Sequence, residues 1–324
     1  MKRAFLGLIA LLLLCGCETQ DEQPAVRRKS VKTRKAPPAT VTLTEARRGF
    51  RTRLLRRQAA GEPVPEPPAE IARLVRYDAP AGKLSAYITL PSSDAQRQPA
   101  IIWISGGDSN TIDDSFFEDA PADNDQTASA FRKAGVITMY PSLRGGNDNP
   151  GARESFLGEV DDVLAALDFL ESQDFVDPKR IYLGGHSSGG TLVLLVAASS
   201  DRFRAVFSFG PIDDVAAYGE EYLPFNLSNR RELELRAPVK WLHSIRSPTF
   251  VFEGAKQPGN LESLQALRRA SRNKLVHCYF IRGGDHFSIL APLTTLIAER
   301  IIRDTGAKTT LEFEKDELRK LFAN

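Results

Sequence analysis

The stretch Ile181-Tyr182-Leu183-Gly184-Gly185-His186-Ser187-Ser188-Gly189-Gly190-Thr191-Leu192-Val193 decides the fold. An apolar run enters a cluster of glycines, a serine stands at its centre, and an apolar helical pattern leaves it. This is G-x-S-x-G in a strand–turn–helix context. Such a turn presents the serine Oγ on a strained backbone, and the glycines let neighbouring chain pass closely. The helix that follows points its N-terminus at the serine, which favours negative charge developing there. Ser187 is therefore the candidate nucleophile, and the N–H of Ser188 a candidate oxyanion donor. The sequence holds no G-x-G-x-x-G or Walker pattern, so the glycines do not read as a phosphate cradle.

Outward from this turn, short apolar runs alternate with helical patterns. Leu84–Leu90, Ala100–Ile104, Val136–Tyr140, Ile181–Leu183, Ala205–Phe209, Thr249–Phe252 and Leu275–Ile281 read as strands. Gln126–Ala134, Gly158–Glu171, Leu192–Ser199, Asn260–Ser271 and Ile289–Ile302 read as helices. Continuous apolar strands are buried on both faces, so the pattern predicts an α/β fold with a mostly parallel central sheet and helices on both faces. The stretch 218–247 lies between two strands and is a candidate small cap.

The remaining parts of the site follow from position. A second oxyanion donor is expected after an earlier strand, and Ile104-Ser105-Gly106-Gly107 offers Gly106, with Gly107 next to it. A general base should come late, between the last strand and the last helix. Of four histidines, His286 in Gly284-Asp285-His286-Phe287 has that place. His186 lies inside the turn and is expected to point elsewhere. His243 and His277 fall in apolar segments and read as structural. No His or Cys spacing suggests a metal, and the chemistry calls for no cofactor.

These residues resemble the α/β-hydrolase superfamily, and within it the prolyl oligopeptidase-like (dienelactone hydrolase-like) catalytic domain. Gly184–Gly190, Tyr140-Pro141-Ser142-Leu143-Arg144-Gly145-Gly146, Asp161–Asp168, Val176–Ile181 and Asp285-His286-Phe287 carry the resemblance, over roughly residues 75–304. It implies an α/β-hydrolase fold and hydrolysis of a peptide or ester through an acyl-enzyme. The large propeller of longer oligopeptidases has no counterpart here, so small acyl compounds are expected alongside peptides as substrates. The family's triad acid is usually an Asp three residues beyond a Gly after the penultimate strand. Here Gln257 takes that place. Glu253 at the strand end, Asp213 and Glu262 are the candidate substitutes, in that order. A chain lacking the acid would fit a non-catalytic envelope protein that keeps the fold as a binding module.

The chain has 324 residues, with 42% hydrophobic and 26% charged residues, which excludes wholesale disorder, collagen and a multi-span membrane protein. Its net charge of +2 hides a separation of sign. Residues 18–60 carry 12 Lys/Arg against 4 Asp/Glu, whereas residues 61–324 carry 29 against 37. Met1-Lys2-Arg3 precedes an apolar stretch, Ala4–Leu14, that is too short to span a membrane and reads as a secretory signal. Leu14-Cys15-Gly16-Cys17 resembles a bacterial lipobox, which implies cleavage before Cys17 and a lipid on its sulfur. The expected organisation is a lipoprotein signal peptide over 1–16, a basic, Pro-containing tether over 17–70 and a hydrolase domain over 71–324. Within the tether, Thr44–Ala60 has the pattern of a short basic helix. Lipid and basic arm together supply two membrane signals, and the expected location is the periplasmic side of the cell envelope. Glu18 after the cysteine favours the outer membrane. The secretory signal argues against nucleic acid as a partner. Cys278 reads as a small core residue.

Asp108–Asp125 holds seven acids and no Lys or Arg beside the oxyanion loop. It reads as a solvated loop, or as a rim that favours cationic substrates or receives the basic arm.

Overall fold

The computed structural model describes residues 41–91 and 96–323. The expected signal peptide, Cys17 and the expected arm as far as residue 40 lie outside the described residues. Eight strands form one sheet: β1 (Ala72–Ala79), β2 (Gly82–Thr89), β3 (Gln98–Ile104), β4 (Ile137–Pro141), β5 (Val176–His186), β6 (Val206–Phe209), β7 (Thr249–Gly254) and β8 (Val276–Ile281). Their order is β1-β2-β4-β3-β5-β6-β7-β8. β2 is antiparallel to both its neighbours, and β4 through β8 run parallel. The helices are α1 (Leu43–Arg47), α2 (Ala130–Lys133), α3 (Gly158–Glu171), α4 (Ser188–Ser199), α5 (Arg230–Arg236), α6 (Pro238–Trp241), α7 (Leu261–Ala270), α8 (Leu290–Arg303) and α9 (Lys315–Lys320).

The continuous apolar strands serve two cores. In β3, Ile102 and Ile104 join the core beneath α3 and α4, while Ile101 and Trp103 join the one beneath α2 and α8. This is the period-two alternation of a strand covered on both faces. α4 lies in the first core, and every residue from Gly189 to Ala198 is buried. α8 faces the second with Leu290, Leu293, Ile297 and Ile301, at helical spacing. Registered aromatic rings tie the last strands together. Phe209, Phe252 and Tyr279 stack across β6, β7 and β8 at 5.2 Å steps, and Phe313 closes over them.

Several local expectations shift. β1 is an extra edge strand beyond the expected set. The helix expected over Gln126–Ala134 forms only from Ala130. Buried Asp125 accepts bonds from Thr127 Oγ1, Ser129 N–H and Ser129 Oγ, which holds 125–129 as a turn instead. The stretch 218–247 contributes Leu223, Phe225, Leu235, Trp241 and Leu242 to the main core rather than standing clear as a cap.

The largest departure is in residues 41–70, expected as part of the tether. The helix over 44–60 stops at Arg47, because Gly49 turns the chain with φ +74°. Thr42 and Glu45 cap α1 reciprocally, and Leu43 is fully buried. Beyond it the segment lies on the domain through backbone bonds, including Leu55 N–H to Pro224 O at 2.7 Å and Gly61 N–H to Asn147 O at 2.7 Å. Arg47 pairs with Asp161 at 2.8 Å, and Arg56 donates to the carbonyls of Glu220, Glu221 and Leu223. The basic segment is thus bound by acceptors of the acidic domain.

Candidate active site

The loop from β5 into α4 holds Ser187 at φ 54°, ψ −115°. A left-handed serine costs about 1–3 kcal/mol and persists only where its surroundings fix it. Here Ser187 N–H donates to Phe209 O at 2.8 Å, and Thr191 N–H donates to Ser187 O at 2.9 Å. Helix and oxyanion loop also approach too closely for side chains. A Cβ on Gly189 would lie 2.1 Å from Ile104 O, so the glycine two residues after the serine is required by contact. Ser188 opens α4, and its N–H is among those a first helical turn leaves without an intrahelical partner. Its Oγ donates to Gly107 O at 2.6 Å, which draws the oxyanion loop over the turn. Gly106 lies against the nucleophile: a Cβ there would sit 3.0 Å from Ser187 Cβ.

His286 lies in the β8–α8 loop and is 7% exposed. Its N–H donates to Pro258 O, and Asp285 ties the loop by accepting from Phe287 N–H, Ser288 N–H and Ser288 Oγ. His286 Nδ1 is 3.1 Å from Glu253 Oε2. With Nδ1 donating to that carboxylate, Nε2 carries the ring's lone pair and is the basic nitrogen. Glu253 is the penultimate residue of β7, is fully buried, and accepts two further bonds: Gly254 N–H at Oε1, 2.7 Å, and Asn260 N–H at Oε2, 2.9 Å.

The other candidate acids lie apart from the histidine. Asp213 accepts from Ser263 Oγ at 2.7 Å, and Glu262 is an exposed residue in the first turn of α7. Gln257 is exposed. The carboxylate facing His286 comes from four residues earlier, on a longer side chain that starts within the strand.

Two residues near the site escaped the sequence reading. Asn260 joins the acid to the β6 loop, with its N–H on Glu253 and Nδ2 on Gly210 O at 2.8 Å. His186, expected to point elsewhere, lies beside His286 with ring centroids 4.5 Å apart. Its Nε2–H donates to the His286 carbonyl at 3.0 Å, which leaves Nδ1 as a buried acceptor without a partner among the described residues. Burial first, then the neighbouring His286, pushes the His186 pKa down to about 3. An unfolded imidazole titrates near 6.5, so between pH 6.5 and 3 the unfolded chain binds this proton first. The stability held above pH 6.5 is therefore lost as pH falls through that window, at about 1.4 kcal/mol per pH unit at most for one proton. His186→Gln keeps a donor for the carbonyl and removes the titration. Its denaturation midpoint should fall less steeply from pH 6.5 to 4 than that of wild type. Parallel curves would show that His186 is not the group responsible.

Of the seven acids in 108–125, Asp108 lines a cleft near the site. Asp125 is buried, Asp113 caps a 3-10 turn, and Asp119 approaches Lys133 at 3.9 Å. His243 bonds Val41 O, and His277 stacks on Phe250. Cys278, half-buried on β8, has its pKa raised to about 11 by burial.

A parallel sheet with a serine on a sharp strand-to-helix turn and a late histidine paired to a carboxylate defines an α/β-hydrolase domain of the serine hydrolase class. Residues 122–256 match the family model described as the Prolyl oligopeptidase family. The chain is 28% identical over 128 residues to the dual function macrocyclase-peptidase POPB of Galerina marginata, covering 35% of this chain and 18% of that protein. It is 28% identical over 155 residues to the quorum-quenching protein AidA of Acinetobacter baumannii, covering 47% and 46%. It therefore spans less than half the length of these curated relatives. Among solved structures, a puromycin-hydrolyzing peptidase of Mycobacterium tuberculosis superposes with a TM-score of 0.59 at 20% identity, over 72% of this chain and 39% of that one. That likeness is one of fold.

Proposed function

We propose that the protein is a membrane-anchored serine hydrolase that cleaves peptide or ester bonds through an acyl-enzyme on Ser187. The observation that carries this reading is the His286–Glu253 pair, buried and 3.1 Å apart, in the loops beside the left-handed serine. Ser187 Oγ attacks the acyl carbonyl while His286 Nε2 takes its proton. Glu253 stabilises the imidazolium through Nδ1–H. The N–H groups of Ser188 and Gly106 are suited to the oxyanion. His286 then protonates the leaving group, and water releases the acyl chain by the same steps in reverse order. The family match supports peptides as substrates, and the same acyl-enzyme chemistry serves small esters. The binding-module alternative drew its support from Gln257, and a carboxylate on His286 removes that support.

The anchor is a lipid on Cys17, supported by the order of apolar run, small residue and cysteine and by the basic residues that follow. The envelope location, with a preference for the outer membrane, follows from the same segment. A fluorophosphonate probe on the full chain tests both parts. Wild type should label and sediment with membranes, Ser187→Ala should not label, and Cys17→Ser should label in the soluble fraction. Unlabelled wild type, or labelling that survives Ser187→Ala, overturns the enzyme reading. Cys17→Ser that still sediments overturns the lipid anchor.

A further inference from the structure

Two clefts meet beside the oxyanion loop. The inner one is narrow, with a cavity volume of about 40 Å³, and reaches Ser105, Gly107 and Ser188. The outer one, about 610 Å³, is bounded by residues 57–60 on one side and 108–111 on the other. Ser109, Asn110, Thr111 and Arg153 line both, so they form the passage between them. The outer wall is fixed in place: Gln58 O accepts from Arg153 N–H at 3.0 Å, and Ala60 N–H donates to Gly145 O at 2.9 Å. The N-terminal segment is therefore a side of the entrance.

Arg153 differs from the buried arginines beside this passage. Arg144 is paired with Asp162 and Glu154, and Arg236 with Glu232. Arg153 is half-buried, and among the described residues its side chain has one hydrogen bond, Nη1 to Gln58 Oε1 at 3.5 Å, and no ion pair. Glu159, the acid in the inner cleft, spends Oε1 on Asn110 Nδ2 and the N–H groups of Glu154 and Ser155. Burial holds the Arg153 guanidinium below its ordinary pKa in spite of Glu159 and Asp108 nearby. A partly desolvated fork of N–H donors with no carboxylate on it is what a ligand carboxylate completes.

We propose that Arg153 is the specificity-determining residue of a carboxylate subsite, and that the enzyme takes acyl substrates bearing an anionic group, admitted past the wall at residues 57–60. This rests on the serine hydrolase reading. It has the opposite sign to the cationic preference expected from the acidic stretch 108–125, because that stretch sends one acid to the cleft whereas the unpaired arginine sits in the passage itself.

Three p-nitrophenyl esters of similar length test it: the glutarate hemi-ester, the neutral valerate and the cationic 4-aminobutyrate. Wild type should favour the hemi-ester over valerate by roughly tenfold or more in kcat/KM, mainly through KM and less at high salt. Arg153→Gln should bring the ratio near unity, and Arg153→Lys should restore part of it. Equal rates, a preference for the cationic ester, or an unchanged ratio in Arg153→Gln overturns the proposal. Calorimetry of glutarate on Ser187→Ala reads the subsite without turnover. Binding should vanish when Arg153→Gln is added, and no binding to Ser187→Ala overturns the subsite. Failure of the hydrolase reading shows separately, as wild type that does not react with fluorophosphonate.

Discussion

Glu253→Gln is expected to lower kcat by about 10⁴, the loss seen when a triad acid becomes its amide. The amide keeps the size and can still meet Asn260 N–H, so folding and substrate binding should survive. What goes is the negative charge that orients Nδ1–H and stabilises the imidazolium formed as Ser187 gives up its proton. The loss should therefore fall on kcat more than on KM. Asp213→Asn and Glu262→Gln, which change carboxylates bonded to Ser263 or exposed on α7, should leave kcat near the wild-type value. Steady-state kinetics on one activated ester ranks all three. A loss that follows Asp213 or Glu262 instead would assign the acid elsewhere.

Arg236→Ala should cost about 3–5 kcal/mol of stability, because it strands a buried carboxylate. Arg236 is fully buried, with Nη1 2.5 Å from Glu232 Oε2 and Nε 2.7 Å from Ser155 O. It donates again to Glu154 O and Glu232 O and lies 4.1 Å from the Phe225 ring centre. Glu232, 2% exposed, would keep only Thr52 Oγ1 and Arg53 N–H among the described residues. Against a total of about 5–15 kcal/mol for a folded domain this is a large share. Replacing both members by apolar residues of similar volume should cost much less, since no unpaired charge remains. Urea denaturation of the single and double variants measures both. A single-variant loss below about 1 kcal/mol would mean that water or a rearranged neighbour takes over the carboxylate.

The predictions differ in how far the sequence announces them. Ser187 and His286 are legible because their signals are local: glycine spacing around one, a strand–loop–helix boundary around the other. Glu253 was one of three carboxylates, since sequence spacing does not say which side chain can reach a ring on another loop. The turn of β7, with Ala255 N–H on Ile281 O and Lys256 N–H on Gly284 O, sets that reach. His186 was misjudged for a related reason: its direction depends on a left-handed neighbour that a one-letter string does not display. The docking of residues 41–61 was hidden most completely. It relies on backbone donors and acceptors that every sequence carries, and its Arg and Pro content gives the appearance of a solvated arm.

That docked segment has a practical consequence for producing the protein. A truncation meant to remove the signal and arm, but cut at residue 61, would uncover the hollow that Leu43 fills and deprive Glu232 of Thr52 and Arg53. Such a shortened chain invites aggregation through the bared apolar surface. A cut just before residue 41 keeps Leu43, Thr52 and Arg53 in place.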